Sequence, residues 1–437
     1  MEQVAAWERE VGKQRQYGHR RAEATPLYQV VSAGRDKLVG SWELLFQHQY
    51  GALRNEVVES FDKFLECGIL RYGCGRAHCT NPECNHSELI PFSCKQRCLC
   101  PSCDAKRAVL FAEKLEHEIL LKLPHHHVIF TLPKRIRPYF RFDRSNLSIL
   151  YQAAWQAWAA CVAEQCPEGK TGAILALHSA GDLLSWHPHA HSLCLAGALL
   201  PDGSFMPLKI DAQQLCKQFA QRVLAALVAK ELISKEVADA ILSWEHSGFS
   251  AFIGERIEAS DTKQRLFVGR YLKKCPISNE RLSVSVHGKD TVVHLAASKQ
   301  DRLDAELAIP LLEFLALLQC HIPSRWEQTT RFFGVYSCRA RGMEKARAEA
   351  ERAGDDESLA ITSNYLPESG RRPSPLWAEC MKRVFEVDPL QCPKCKSPMK
   401  LKAFITDASE IARIAKNLGI CLAQAPPPLP CTIPLAA

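Results

Sequence analysis

The 437-residue chain has no long apolar run: the longest, Ile309–Leu318, spans ten residues and includes Glu313. A membrane-crossing helix needs about 20 apolar residues, so this stretch reads as a buried helix and no membrane partner is expected. The opening residues, MEQVAAWEREVGKQRQ, are charged and lack the apolar core of a secretory signal, which predicts a cytoplasmic setting. Neither charge sign dominates, since 55 Lys and Arg face 48 Asp and Glu to leave +7. An excess that mild excludes an argument from net charge; only local clusters of cations carry weight. There is no internal repeat and no GxxxxGK[ST] phosphate loop, which excludes a P-loop motor. With 47% hydrophobic and 24% charged residues, the chain is neither disordered, collagen-like nor a bare coiled coil.

Hydrophobic periodicity divides the chain into six parts. Residues 1–66 read as mostly helical, with apolar positions at helical spacing around Leu44, Leu45, Tyr50, Leu53, Val57, Val58 and Phe61. A Gly/Cys/Asn/Pro-rich segment and a helix over Ala105–Leu123 occupy 67–123. Region 124–338 alternates short strands, at His127–Leu132, Gly172–His178, His189–Leu195 and 282–295, with helices at Leu147–Val162, Asp211–Leu227, Lys235–Trp244 and Thr262–Lys274. That pattern predicts an α+β domain with a central antiparallel sheet and inserted helices. A charged linker at 339–376, a small CxxC module at 377–421 and a Pro-rich tail at 422–437 complete the reading.

What the chain has in plenty is cysteine: 20 in all, eight of them between Cys67 and Cys103. In a reducing compartment, clustered thiols point to metal rather than disulfides. Zinc takes four thiolate or imidazole ligands as a tetrahedron, commonly from two tight knuckles and a spacer. Cys79-TNPE-Cys84 and Cys100-Pro-Ser-Cys103, fifteen residues apart, supply such knuckles and predict one structural zinc. Cys94 is a fifth candidate, Cys67 and Cys74 are candidates for part of a second site, and Cys98 reads as structural. The distant pair Cys392 and Cys395 is half a site, which either recruits Cys380 or Cys421 or binds nothing.

Trp186-His187-Pro188-His189-Ala190-His191 sets three histidines at alternate positions of a strand, so all three face one side. Two imidazoles a pleat apart can chelate one divalent cation, while Ala190 packs behind them. Farther on, Phe267-Val-Gly-Arg-Tyr271-Leu-Lys-Lys274 reads as a basic helix with a tyrosine. A phenol is a poor nucleophile at its ordinary pKa near 10. It can attack a phosphodiester when a metal polarises the phosphoryl oxygen and cations such as Arg270, Lys273 and Lys274 offset charge.

These motifs together resemble the rolling-circle transposases of bacterial insertion sequences that are built on a His-hydrophobic-His (HUH) nuclease, specifically the ISCR-like branch. The resemblance rests on the histidine strand, FVGRY followed by PISNERL, PFSCKQRCLCPSC, HHHVIFTLPKRIRPYFRFDR and RVFEVDPLQCPKCKSPMKLKAFITD, in that family's order and over about residues 60–420. It implies an HUH domain in which His189 and His191 hold Mg²⁺ or Mn²⁺. It further implies that Tyr271 forms the covalent link to the 5′ end of cleaved single-stranded DNA at the ends of the mobile element, in a bacterial, nucleoid-associated protein. His178, His187 and Asn279 are open choices for a third ligand. Relatives with two tyrosines carry another four positions earlier, where this chain has Phe267. One nucleophile then acts twice, or a second protomer or the liberated 3′-hydroxyl completes the transfer. The first zinc knuckle, with four residues between its cysteines where relatives often have two, is a second departure and sets Cys74 against Cys79.

The remaining signal is Lys134-Arg-Ile-Arg-Pro-Tyr-Phe-Arg-Phe-Asp-Arg144, which interleaves cations with aromatics. Lys134, Arg135, Arg137 and Arg141 are candidate phosphate contacts, and Tyr139, Phe140 and Phe142 either stack on unpaired bases or belong to the core. The sequence thus favours a metal-dependent strand transferase. A replication initiator or relaxase of the same chemistry, and a non-catalytic zinc-stabilised DNA-binding protein, are the competing readings.

Overall fold

The computed structural model describes residues 21–287, 290–297, 306–353, 390–420 and 422. Cys380, Cys421, most of the charged linker and nearly all of the Pro-rich tail lie outside the described residues.

The first helix, α1 (Pro26–Leu45), starts where Thr25 accepts a hydrogen bond from the Tyr28 amide and Pro26 fills the first turn. It packs with α2 (Asn55–Leu65) through Leu27, Val30, Val31, Trp42 and Phe61. A hairpin, β1 (Cys74–Cys79) and β2 (Ser87–Pro91), leads to α3 (Pro101–Lys114). That helix starts earlier than Ala105 because Pro101 of the second cysteine knuckle sits in its first turn, and it loosens into a π-turn at Leu115–Ile119.

The central region runs β3 (His125–Thr131), α4 (Arg137–Phe142), α5 (Leu147–Gln165), β4 (Gly172–Ala180) and β5 (Trp186–Leu195). A small hairpin of β6 (Gly197–Leu199) and β7 (Phe205–Pro207) follows, then α6 (Ala212–Ala229), α7 (Lys235–Ser243), β8 (Ser250–Ile257) and α8 (Thr262–Tyr271). A meander of β9 (Leu282–His287), β10 (Asp290–Ala296) and β11 (Glu306–Pro310) precedes α9 (Leu311–Gln319), β12 (Thr330–Gly334) and α10 (Cys338–Ala353). Met399–Ile405 (β13) and Ala408–Asn417 (α11) end the described chain.

The main sheet has the order β12-β4-β5-β3-β8, antiparallel throughout, with β5 at its centre. Its two faces are both covered. Val128, Phe130, Ala173, Leu175 and Ala190 pack on Tyr151 and Trp158 of α5 and Phe219 and Val223 of α6. The alternate residues, Ile174, Ala176, Leu193 and Leu195, face Leu115, Leu120, Val268 of α8 and Leu272 just after it. The architecture is therefore mixed helix and antiparallel sheet. The apolar run near 309–318 is α9, whose Phe314, Leu315 and Leu318 are fully buried against α1 and the meander.

The C-terminal segment is not a separate unit. Strand β13 pairs with β1 from Cys74↔Ile405 to Cys79↔Met399, giving a sheet of order β13-β1-β2. Nothing local in residues 399–405 encodes a partner more than 300 positions away, so the sequence could not show this pairing.

Candidate active site and metal centres

The strand alternation that sends Ala190 into the α5–α6 core sends His189 and His191 to the opposite face, beneath α8. Register brings a third ring: His178 of β4 lies directly across from His189. His178, His189 and His191 each offer a ring nitrogen, all within 4.8 Å of one another. His187 lines the same cavity, its ring centroid 4.9 Å from that of His189. Asn279 does not line that cavity, and its Oδ1 accepts the Leu27 amide at the start of α1.

Hydrogen bonds leave a free ring nitrogen on two members of the trio, His189 and His178. The Nδ1–H of His189 donates to the His187 carbonyl at 2.7 Å, and a carbonyl only accepts, so Nε2 of His189 carries no proton in the neutral ring. His178 donates to the backbone carbonyls that end α8, at Tyr271 and Leu272, and its Nε2 is buried without a partner. His191 Nδ1 meets Nε2 of His127, on the neighbouring strand β3, at 3.0 Å. Burial pushes the His178 imidazole down to about 3, with the neighbouring His189 and Lys274 adding to the shift. His187 is lowered to about 4 by burial and by Arg137, and His189 and His191 are also lowered by burial. Neutral rings with unpaired inward nitrogens are what a divalent cation requires.

The ring of Tyr271 stands over this cluster, its centroid 4.9 Å from His191 and 5.4 Å from His178. It lines a cavity of about 660 Å³ together with the three histidines, His187, Asp182, Lys274 and Arg281. Burial raises the phenol pKa, so the group is protonated at neutral pH. Helix α8 is held from behind. Arg265, fully buried, pairs with buried Glu116 at 2.6 Å and also donates to the carbonyls of Leu121 and Leu123. Gly269 lets α8 approach α3 so closely that an added Cβ would sit 3.0 Å from Ala112 Cα. Tyr271 is thus positioned by the helix that the second cysteine knuckle begins.

The two knuckles do not meet. Cys100 and Cys103 group with Cys67 and Cys94, and Cys79 and Cys84 group with Cys392 and Cys395, each set within 4.8 Å. The single site composed of Cys79, Cys84, Cys100 and Cys103 is corrected to two clusters, because β1 carries the first knuckle away from α3 toward β13. In the first cluster, Cys67 lies 3.8 Å from both Cys100 and Cys103, and Cys94 lies 3.7 Å from Cys103. Sulfurs bound to zinc at about 2.3 Å stand roughly 3.8 Å apart in a tetrahedron. Cys74 belongs to neither cluster and packs with Leu89 and Ile411. Cys98 is also outside both, its thiol pushed up to about 12 by burial.

Two family models match the chain. A model described as "Transposase zinc-binding domain" matches residues 40–132, and one described as "Putative transposase" matches residues 172–343. The chain is similar to the transposase for insertion sequence element IS801 of Pseudomonas savastanoi pv. phaseolicola, 26% identical over 82% of this chain and 86% of that protein. These matches make the chain similar to insertion-sequence transposases over most of its length. It is also similar to a protein named "Putative transposase y4qJ" of Sinorhizobium fredii (strain NBRC 101917 / NGR234), 24% identical over 61% of this chain and 71% of that one. No solved structure matches it. Among the described residues, no helix is long and apolar enough to cross a membrane.

The candidate DNA cations are distributed unevenly. Lys134 and Arg135 are exposed, and Arg135 stacks on Trp244 at 5.0 Å. Arg137 donates to the Leu132 carbonyl, and its charge reaches His187 and His189 at the cavity edge. Arg141 lies over Tyr50 and Phe142 and donates to the Gln49 carbonyl. Phe140 is wholly buried, whereas Phe142 is 58% exposed. Arg270 does not line the cavity. Nor does Lys273, which turns away to donate to Thr330 Oγ1 at 2.6 Å over the Phe111 ring. Of the three cations named from the sequence, only Lys274, just beyond the end of α8 at Tyr271, lines the cavity, and Arg281 joins it there. His127 and Arg281 were not singled out from the sequence. On β3, His127 alternates with the core residues Val128 and Phe130, and that alternation is the signal that points to it.

Proposed function

We propose that this chain is a transposase that nicks and rejoins single-stranded DNA at the ends of an insertion sequence, with Tyr271 as nucleophile, on an HUH nuclease domain of the ISCR-like branch. The observation that carries the reading is the convergence of three inward imidazoles and the Tyr271 ring on one cavity. His178, His189 and His191 would hold the cation, and the buried, unpartnered Nε2 of His178 fits that role. An all-imidazole donor set suits Mn²⁺ better than Mg²⁺, which prefers oxygen ligands. Such a cation supplies charge neutralisation on the scissile phosphate.

The chain's own groups do the rest. Tyr271 Oη attacks phosphorus, a new P–O bond forms to tyrosine and the P–O3′ bond breaks; the phenol proton passes to solvent, and the leaving 3′-oxygen takes a proton from solvent to become a 3′-hydroxyl. The phosphotyrosine ester conserves the energy of the broken bond, so rejoining needs no nucleotide cofactor. Lys274 and Arg281 line the cavity as cations for phosphate, and exposed Lys134 and Arg135 extend a basic face beyond it. Phe267, one turn before Tyr271, is 53% exposed and brings no second phenol.

The test is incubation with labelled single-stranded DNA carrying an element end, plus Mn²⁺. The expected product is a denaturation-resistant protein–DNA adduct that Tyr271→Phe abolishes and that His189→Ala or His191→Ala reduces strongly. An adduct that survives Tyr271→Phe assigns the nucleophile elsewhere, and no adduct with the wild type leaves a DNA-binding protein only.

A further inference from the structure

We propose that Cys79, Cys84, Cys392 and Cys395 form a second structural zinc site, which clamps the C-terminal strand onto the N-terminal cysteine module. The proposal is independent of the tyrosine chemistry. Its donors come from ends of the chain more than 300 residues apart. Cys79 lies 3.4 Å from Cys395, and Cys84 lies 3.6 Å from Cys392. Those separations are far beyond a disulfide bond of about 2.05 Å and close to the roughly 3.8 Å edge of a tetrathiolate zinc tetrahedron.

The two pairs are built alike. The residue after the second cysteine of each pair, Asn85 and Lys396, takes a left-handed conformation, with φ of 47° and 61°. This conformation is costly for residues other than glycine and marks a constrained turn. In both pairs the turn brings the amide two positions after the second cysteine onto its sulfur, from His86 to Cys84 and from Ser397 to Cys395. The Asn81 amide does the same for Cys79. Amides aimed at sulfur offset thiolate charge, as the surroundings of a bound metal do. The Lys396 amide closes the second turn on the Cys392 carbonyl at 2.9 Å.

The site continues the strand pairing. The β1–β13 register ends at Cys79↔Met399, and the Thr80 amide then donates to the Pro398 carbonyl at 3.0 Å, delivering the two knuckles to each other. Around the sulfurs, Ala77, Ile90 and Met399 are buried. Lys400–Phe404 of β13 are exposed, so the strand itself buries little beyond Met399. Backbone pairing on so exposed a strand gains from a metal that ties its end down.

Zinc per chain is measured by native mass spectrometry in a His189→Ala/His191→Ala background, which removes the imidazole trio from the count. The expected stoichiometry is two. It falls to one for Cys392→Ser/Cys395→Ser, to one for Cys79→Ser/Cys84→Ser, and stays at one when all four are replaced. A parent protein holding one zinc, or a Cys392→Ser/Cys395→Ser protein keeping two, overturns the proposal. A second measurement needs no substitution in the site: alkylation of the zinc-loaded chain, mapped by peptide. Cys79, Cys84, Cys392 and Cys395 should become reactive together as chelator is raised. Alkylation of Cys392 and Cys395 while Cys79 and Cys84 remain protected overturns it equally.

Discussion

Replacing Arg265 by methionine tests how the Tyr271 helix is held. The side chain is 0% exposed and its partner Glu116 is 1% exposed, at 2.6 Å. The substitution keeps the aliphatic volume but strands a buried carboxylate and removes the donors to the Leu121 and Leu123 carbonyls. Breaking a buried pair from one side costs about 3–5 kcal/mol. Lys122 still reaches Glu116 at 2.9 Å, which places the expected loss near the low end, about 3 kcal/mol. At roughly 2–4 °C per kcal/mol, the melting temperature should drop by about 6–12 °C. Chemistry should suffer as well, because a displacement of about 1 Å at a nucleophile can cost on the order of 100-fold. The assays are differential scanning fluorimetry and the rate of covalent adduct formation below the melting range. A melting temperature within about 2 °C of wild type would refute the energetic argument. A destabilised variant with an unchanged adduct rate would refute the positioning argument.

Three further outcomes follow from the same geometry. His127→Phe removes the ring nitrogen that meets His191 at 3.0 Å; the Mn²⁺ concentration for half-maximal adduct formation should rise about 10–100-fold, with recovery at high Mn²⁺, and an unaltered Mn²⁺ curve would count against the assignment. Buried His125 and His321 are lowered by burial to about 3 and about 4. Below an unfolded-state pKa of about 6.5, the unfolded chain therefore binds protons that the folded chain does not. Stability should fall as pH drops from 7, by about 2 kcal/mol per histidine at pH 5, and flat urea midpoints between pH 7 and 5 would contradict this. Lys134→Gln/Arg135→Gln should reduce the slope of log K against log salt for single-strand binding by about 1.4, at roughly 0.7 per lost phosphate contact; an unchanged slope would move the DNA path elsewhere.

The sequence alone was enough to read whatever depends on neighbours a few positions apart. Alternation put His187, His189 and His191 on one face, helical periodicity placed Tyr271 on α8, and short spacings marked three cysteine pairs. The apolar run that became α9 was legible for the same reason, since burial of a short periodic segment is a local property. Pairing across the chain was decided by tertiary structure. The β4–β5 register set His178 opposite His189, and β3 brought His127 to His191, because neither strand's sequence states which residue it will face. The cysteines were regrouped for a related reason: a tetrahedral cluster depends on where strands carry its donors, and β13 crosses more than 300 residues to reach β1. Small displacements decided the cations, with the end of α8 turning Lys273 toward Thr330 and leaving Lys274 in the cavity. Residue types and short periods are written in the chain, but which of them converge is fixed only when long-range packing sets register and direction.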